Sequence, residues 1–181
     1  NHRLRSRVGA CALLTTSLLL HTAFSPQRHW YPDTTHNSGS DTPEPMRLTQ
    51  ELLEIQPQIL QERLRDIVTG RRGVIDMYSI TFAPYATEDV FRRESELVAT
   101  VMQERFAGAG KTIQLVNHRD TVRDWPWATP LNLKRAIDRV AEVMDRDEDV
   151  LFVHLTSHGA RDGELAADFW PLQVDAVTPQ T

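Results

Sequence analysis

From residue 47 onwards, two patterns of hydrophobic and polar residues alternate along the chain. One is typical of helices and the other of strands. Three segments carry apolar residues at intervals of three and four, as amphipathic helices do. Three other segments are short apolar runs without alternation, which is typical of strands buried in a parallel sheet. The runs are Val74–Phe82, Thr112–Val116 and Val150–Thr156. The order of helix followed by β-α-β-α-β predicts an α/β domain with a mostly parallel sheet and flanking helices.

Capping residues set the expected limits of the helices. An appended helical segment at 47–70 contains Pro57, which should kink or split it. The second helix is expected to begin at the N-cap Thr87, with Glu88 and Asp89 favourable in its first turn. The third follows Thr129-Pro130, an N-cap with proline at the first helical position. The apolar stripe predicted for the second helix comprises Val90, Phe91, Leu97, Val98, Val101, Met102 and Phe106.

The start of the chain has a different pattern. Residues 1–24 join an arginine-containing beginning to an apolar run, which is typical of a signal peptide or a single signal anchor. Export, with possible membrane attachment through residues 8–24, is therefore expected; a start with no targeting role is the alternative. Residues 25–46 are rich in proline, glycine and serine and are predicted to be a disordered linker. The globular domain is expected at 71–181.

Composition narrows the function classes. The 181 residues are 40% hydrophobic and 25% charged, which is ordinary for a soluble globular protein. Residues 1–30 contain four arginines and no acid, which leaves a net charge of −9 on the rest and argues against nucleic acid as a partner. Cys11 is the single cysteine, so no internal disulfide or cysteine-based zinc set is expected. The histidines lack metal-ligand spacing, and no metal or cofactor is predicted.

Candidate chemistry lies where the third apolar run ends, at Ser157-His158-Gly159. Ligands of open α/β sheets bind outside the carboxyl ends of the strands. His158 therefore follows what we interpret as a central strand, and the glycine after it permits a turn and close approach. We expect His158 to be the site of chemistry; a capping loop histidine is the alternative.

The other polar candidates have simpler interpretations. His154 is expected to be a core or interfacial residue, because it lies within the strand. The group Asn117, His118 and Asp120 is expected to structure its loop and not to form a second site. Asp162 and Glu164 are expected to be solvated acids, and Trp125 and Trp127 to pack their loop over a helix.

Four ordered stretches resemble the legumain-type cysteine peptidases of the caspase-like clan, and most closely their bacterial branch. The first three are Asp89–Glu94 (DVFRRE), Leu115–Thr121 (LVNHRDT) and Ala128–Leu133 (ATPLNL). The fourth is Leu155–Gly159 (LTSHG), followed by an acidic and apolar hairpin and the helix-start pair Thr178-Pro179. The resemblance covers about residues 73–181.

The resemblance implies a caspase-like sandwich that hydrolyses peptide bonds with a His/Cys dyad. His158 matches the catalytic histidine, and Gly159 matches the glycine whose backbone N–H helps to form the oxyanion hole. Arg92 falls where the eukaryotic members place an arginine of the primary specificity pocket. The family needs no cofactor, and its partner is a peptide or protein substrate. With the leader, the bacterial branch implies a periplasmic protein, or one anchored in the inner membrane facing the periplasm.

The family nucleophile is a cysteine at the end of the next strand, which would lie beyond Thr181. Cys11 belongs to the leader and cannot serve. We therefore expect a domain incomplete at its C-terminus and inactive as it stands. The alternatives are a non-catalytic binding or scaffold module on the same fold, and a relative that transfers the acyl group to an amine. Cleavage after Asn or Asp is the substrate preference that the resemblance suggests.

Overall fold

The computed structural model describes residues 46–180, so the predicted leader and nearly all of the predicted linker lie outside the described residues. Strands and helices alternate along this part of the chain. The elements are α1 (Gln50–Arg65), β1 (Met77–Ala83), α2 (Asp89–Arg105), β2 (Thr112–Val116), α3 (Pro130–Val143) and β3 (Val150–Leu155). The strands form a parallel sheet in the order β2-β1-β3. The predicted α/β domain with a parallel sheet and flanking helices is confirmed at this level.

One face of the sheet is apolar and packs against α1 and α3. The central strand presents Tyr78, Ile80 and Phe82 to this side, and all three are fully buried. The side chains that pack with them include Leu60, Ile113, Leu115, Leu133, Ala136 and Val140. Because α1 contributes to this core, it is part of the same compact unit as the sheet.

The opposite face is polar and lies under α2. Ser95 on α2 donates its hydroxyl to Thr81 Oγ1 at 2.8 Å, and its carbonyl accepts from Gln114 Nε2 at 3.3 Å. These side chains are buried, so each needs a hydrogen-bond partner inside the protein. The buried residues of α2 are accordingly Ser95, Ala99 and Met102. The predicted apolar stripe is wrong in large part, since Leu97 is 64% exposed.

The strand β3 lies at the edge of the described sheet, with β1 at its centre. The expectation of a buried central strand is wrong here, because the apolar run reflects a preference for strand structure and does not fix the strand order. Four of its side chains are 38–44% exposed: Val150, Phe152, Val153 and Leu155.

Two predicted helix limits also differ. The helix α1 continues through Pro57 and is not split. Pro57 lies on the exposed side of α1, where water can reach the carbonyl that loses its partner. The helix α2 begins at Asp89 with Glu88 as N-cap, so the N-cap expected at Thr87 is wrong by one residue. The N-cap Thr129 of α3 is confirmed, since its hydroxyl accepts from the Asn132 N–H.

A buried carboxylate organises the amino-terminal edge of the sheet. Asp76 accepts hydrogen bonds from the Arg71 backbone N–H at 2.6 Å and from Arg71 Nη2 at 2.7 Å, while Lys111 Nζ lies 3.4 Å away. Its own N–H donates to Asp149 Oδ1 at 2.8 Å. The hydrogen-bonded Arg71 guanidinium lowers the pKa of Asp76 to about 2, against the opposing effect of burial. The strand β1 therefore starts from a fixed point, after an exposed turn.

We predict that Asp76→Asn destabilises the protein by about 2–4 kcal/mol, because it leaves the buried Lys111 without its countercharge. The depressed pKa means that the carboxylate contributes stability above about pH 4, the ordinary Asp range, and loses it as the pH falls towards about 2. Urea unfolding at neutral and acidic pH measures both effects. The exposed Asp138→Asn is the control; equal stability of the two variants contradicts the assignment.

Candidate functional site

The carboxyl ends of the three strands are tied together at one edge of the sheet. The Asn117 N–H, after β2, donates to the Ala83 carbonyl of β1 at 2.9 Å. The Thr156 N–H, after β3, donates to the Phe82 carbonyl at 3.0 Å. The segment after β1, Pro84–Glu88, therefore lies between the segments that carry His118 and His158. This is the edge at which open α/β sheets bind ligands.

A returning segment, Leu165–Asp168, fixes the loop after β3 to the loop after β1. The Ala166 N–H donates to the His158 carbonyl at 2.8 Å. The Asp168 backbone N–H donates to the Pro84 carbonyl at 3.1 Å, and the Asp168 backbone carbonyl accepts from the Ala86 N–H at 2.7 Å. These hydrogen bonds hold the backbone of His158 at a fixed position relative to Tyr85 and Glu88. The small hairpin expected after β3 is present as two isolated antiparallel bridges, Leu165 with Val177 and Phe169 with Leu172.

The imidazole of His158 is held by two side chains of the segment that joins β1 to α2, Tyr85 and Glu88, and by Phe91 in the first turn of α2. Its Nε2 lies 2.6 Å from Glu88 Oε1. The rings of Tyr85 and Phe91 contact it edge to face, with centroids at 4.8 and 5.0 Å. The histidine side chain remains 52% exposed. The arrangement therefore combines a fixed ring with access from solvent.

The backbone N–H of Gly159 points away from Leu165, the residue with which Gly159 pairs. It faces Leu165 in an antiparallel bridge flanked by the hydrogen bonds Ala160 N–H to Glu164 O and Ala166 N–H to His158 O. This is a pair of the non-hydrogen-bonded kind, in which the two N–H groups point outward. Within residues 46–180, no backbone carbonyl accepts from Gly159. A donor beside His158 is thus open to a ligand.

Arg92 is occupied by carboxylates of its own helix. Its Nε donates to Asp89 Oδ1 and its Nη1 to Glu96 Oε1, both at 2.7 Å. Although partial burial opposes the shift, these hydrogen bonds raise the pKa of Arg92. Asp89 also pairs with Arg93. A substrate carboxylate would have to compete with both acids for the Arg92 guanidinium.

Asn117 and His118 serve the structure of their loops. The Asn117 side chain, 1% exposed, donates to the carbonyls of Pro84 and Ala128 and accepts from the Ala128 N–H. His118 Nδ1 accepts from the Asp120 N–H at 3.3 Å, and its Nε2 lies 3.6 Å from Asp89 Oδ1. Burial lowers the pKa of His118. This agrees with the loop-structuring role expected from the sequence.

His154 lies on β3 and is away from these loops. Its ring stacks on Phe152 with centroids 6.5 Å apart, and its Nε2 is buried 3.8 Å from Glu94 Oε1, beyond hydrogen-bond distance. The histidine is therefore a partly covered residue of the sheet edge, as its position within the strand indicates.

Sequence reasoning assigned no site role to Tyr85 or Glu88. The sequence predicts for Glu88 only a favourable position in the first turn of its helix. The available signal was the topology: the loop after the first strand of a β-α-β unit ends at the same sheet edge as His158. The structure also shows that Asp162 and Glu164 lie in the turn after Gly159, where the Glu164 N–H donates to Asp162 Oδ1.

Comparisons with family models, curated proteins and solved structures found no match to this chain. Among residues 46–180, no group of three or more histidine, cysteine or acidic side chains is placed to hold a metal ion. None of the helices that the structure describes is both long and apolar enough to cross a membrane.

We predict that Gly159→Ala changes the free energy of unfolding by no more than about 0.5 kcal/mol, since an added Cβ there meets no atom within 4 Å. Gly70→Ala is the contrasting variant, because its Cβ would lie 2.4 Å from Asp149 Oδ2. It should cost about 1–3 kcal/mol. Urea unfolding of both variants checks the comparison, and a large loss for Gly159→Ala contradicts the open surroundings described above.

We predict that Asn117→Ala costs about 3 kcal/mol of unfolding free energy, because it removes three buried hydrogen bonds that join the loops after β1 and β2. Thermal and urea unfolding measure the loss. The exposed Gln103→Ala, on α2, should leave stability unchanged. A loss no greater than that of the control would argue against the joining role.

Proposed function

We propose that this chain is the major part of a bacterial, legumain-like cysteine peptidase with a caspase-like fold, and that His158 is its general base. One observation carries the proposal. A solvent-accessible imidazole, fixed at the carboxyl edge of a parallel sheet, lies next to a glycine whose N–H has no backbone acceptor within residues 46–180. The four stretches that resemble the family support the same assignment.

The chemistry requires a thiol beside His158. A cysteine thiol has an ordinary pKa near 8.5 and needs a base to become an efficient nucleophile. In the proposed reaction the imidazole takes the thiol proton, the thiolate attacks the peptide carbonyl, and the imidazolium returns the proton to the leaving amine. In the same proposed reaction, the Gly159 N–H donates to the oxyanion that forms. Water then releases the acyl group from sulfur.

We propose that the thiol comes from a strand that pairs with β3. Neighbouring parallel strands end at the same sheet edge, so such a strand would deliver its last residue beside His158. The exposed apolar side chains of β3 support this, because an edge strand of this composition is suited to pairing with another strand. Residues 46–180 contain no cysteine, so the nucleophile must come from outside the described part of the chain.

We retain Arg92 as the candidate arginine of the specificity pocket, where a substrate would have to compete with the acids that already bind it. Asp89 and Glu96 hold its guanidinium, so an acidic or amide side chain of a substrate must displace or share one of these partners. Export is proposed from the arginine-containing and apolar start of the chain.

The test begins with the reading frame past Thr181. We expect it to encode, within about a few tens of residues, a helix and then a β-rich run that ends in a cysteine. The protein expressed from the complete frame should cleave peptides and react with thiol-directed peptidyl probes. His158→Ala should lower kcat/KM by at least about 100-fold, the usual contribution of a general base.

His154→Gln is the matched control for that measurement, since it changes a histidine four residues earlier, on β3 and not in the loop after it. It should retain activity. A frame without a downstream cysteine, or a complete protein that neither cleaves nor labels, contradicts the peptidase and leaves a binding module as the better assignment. If an added amine acceptor diverts the product from the free acid, the enzyme transfers the acyl group instead of hydrolysing it.

A further inference from the structure

The N-cap residue of α2 does not cap its own helix. N-cap side chains usually accept a hydrogen bond from a backbone N–H of the first turn, yet Glu88 makes no such bond. Its carboxylate instead lies 2.6 Å from Nε2 of His158, a residue 70 positions further along the chain. A capping interaction has therefore been replaced by a contact with the candidate base.

Glu88 and Asp89, the two acids at the start of α2, have different partners. The Glu88 carboxylate lies at the amino terminus of a 17-residue helix, where the helix dipole stabilises an anion. The neighbouring acid cannot take its place, because Asp89 is bound by Arg92 and Arg93 and faces His118. The two consecutive carboxylates thus face two different histidines. Glu88 faces His158, which follows β3, and Asp89 faces His118, which follows β2.

The aromatic contacts restrict the plane of the His158 ring but not which of its nitrogens faces Glu88. Tyr85 and Phe91 meet it edge to face at interplanar angles of 89° and 83°. They also contact each other, with centroids 5.8 Å apart. A turn of the imidazole about its own axis would break the hydrogen bond to Glu88 while keeping the ring between the same neighbours. The carboxylate is therefore the group that selects which nitrogen points in which direction.

We propose that Glu88 is a positioning residue that fixes His158 as the tautomer with its proton on Nε2 and its lone pair on Nδ1. A carboxylate accepts and does not donate, so Nε2 must carry the hydrogen of this bond. Nδ1 is then the nitrogen that takes the thiol proton. The resulting imidazolium carries N–H groups on both nitrogens, and Glu88 stabilises its charge until Nδ1 returns the proton to the leaving amine. The catalytic part of this inference rests on the proposed function; the tautomer does not.

The first measurement uses the full chain labelled with ¹⁵N. Imidazole nitrogen shifts are recorded at about pH 8.5, above the ordinary histidine pKa, and His158→Ala identifies the signals. We expect the wild type to show Nε2 protonated and Nδ1 unprotonated. Glu88→Ala should give a mixture of tautomers, and Glu88→Gln, whose amide oxygen still accepts, should keep part of the preference. Glu104→Ala, an exposed acid on α2, is the control.

A tautomer that stays unchanged in Glu88→Ala, with the fold intact by circular dichroism, overturns the proposal. The Glu88→Gln variant separates folding from positioning, because it preserves the size and the acceptor while removing the charge.

The second measurement uses the protein from the complete reading frame. Glu88→Ala should lower kcat about 10-fold or more while KM stays within about twofold, since orientation of the base acts on proton transfer. Glu88→Gln should fall between this variant and the wild type. An active wild type with an equally active Glu88→Ala contradicts the positioning role. An inactive wild type that nevertheless shows the expected tautomer shift contradicts the peptidase alone.

Discussion

The pairing of β1 on both of its edges is the constraint on which the rest of the domain depends. The strand aligns with β2 from Ser79 to Ala83 and with β3 from Met77 to Phe82, so its backbone groups are satisfied on both sides. Its side chains beyond Met77 are all buried. Because β1 is held in this way, the loop that follows it has a fixed origin, and that loop supplies Tyr85 and Glu88 to the candidate site.

Most of the fold was predictable because its signals are local. The strand Thr112–Val116 and the cap and proline at the start of α3 were read correctly from residue types alone. The packing of α2 on the sheet was not predictable in this way, because polar residues that form hydrogen bonds are buried there. Ser95 is fully buried and hydrogen-bonds Thr81 and Gln114, whereas Leu97 faces solvent. Hydrophobic periodicity cannot indicate a polar interface of this kind.

The candidate site was predictable at one residue and not at its neighbours. His158 stands out because it ends a strand-like run, but its contact with Glu88 spans 70 positions and depends on which strand lies beside β3. The sequence suggested β3 as a central strand, whereas β1 is the central strand of the sheet that residues 46–180 form. A central β3 would also have β1 as a neighbour, so the strand order was not the missing information. The sequence could not show which side chains of the loop after β1 reach His158.

The two ends of the strands have different roles. Residues at the amino ends contribute to stability, and residues at the carboxyl ends form the candidate site. At the amino-terminal edge, Asp76 is 2% exposed and bound from several directions, which is the pattern of a structural ion pair. At the carboxyl edge, Glu88 and His158 are each about half exposed, so their hydrogen bond contributes little to folding. A short contact between exposed groups that gives little stability is instead consistent with the orienting role proposed for Glu88. Since a substitution at Glu88 should leave unfolding nearly unchanged, a loss of activity there would reflect orientation and not folding.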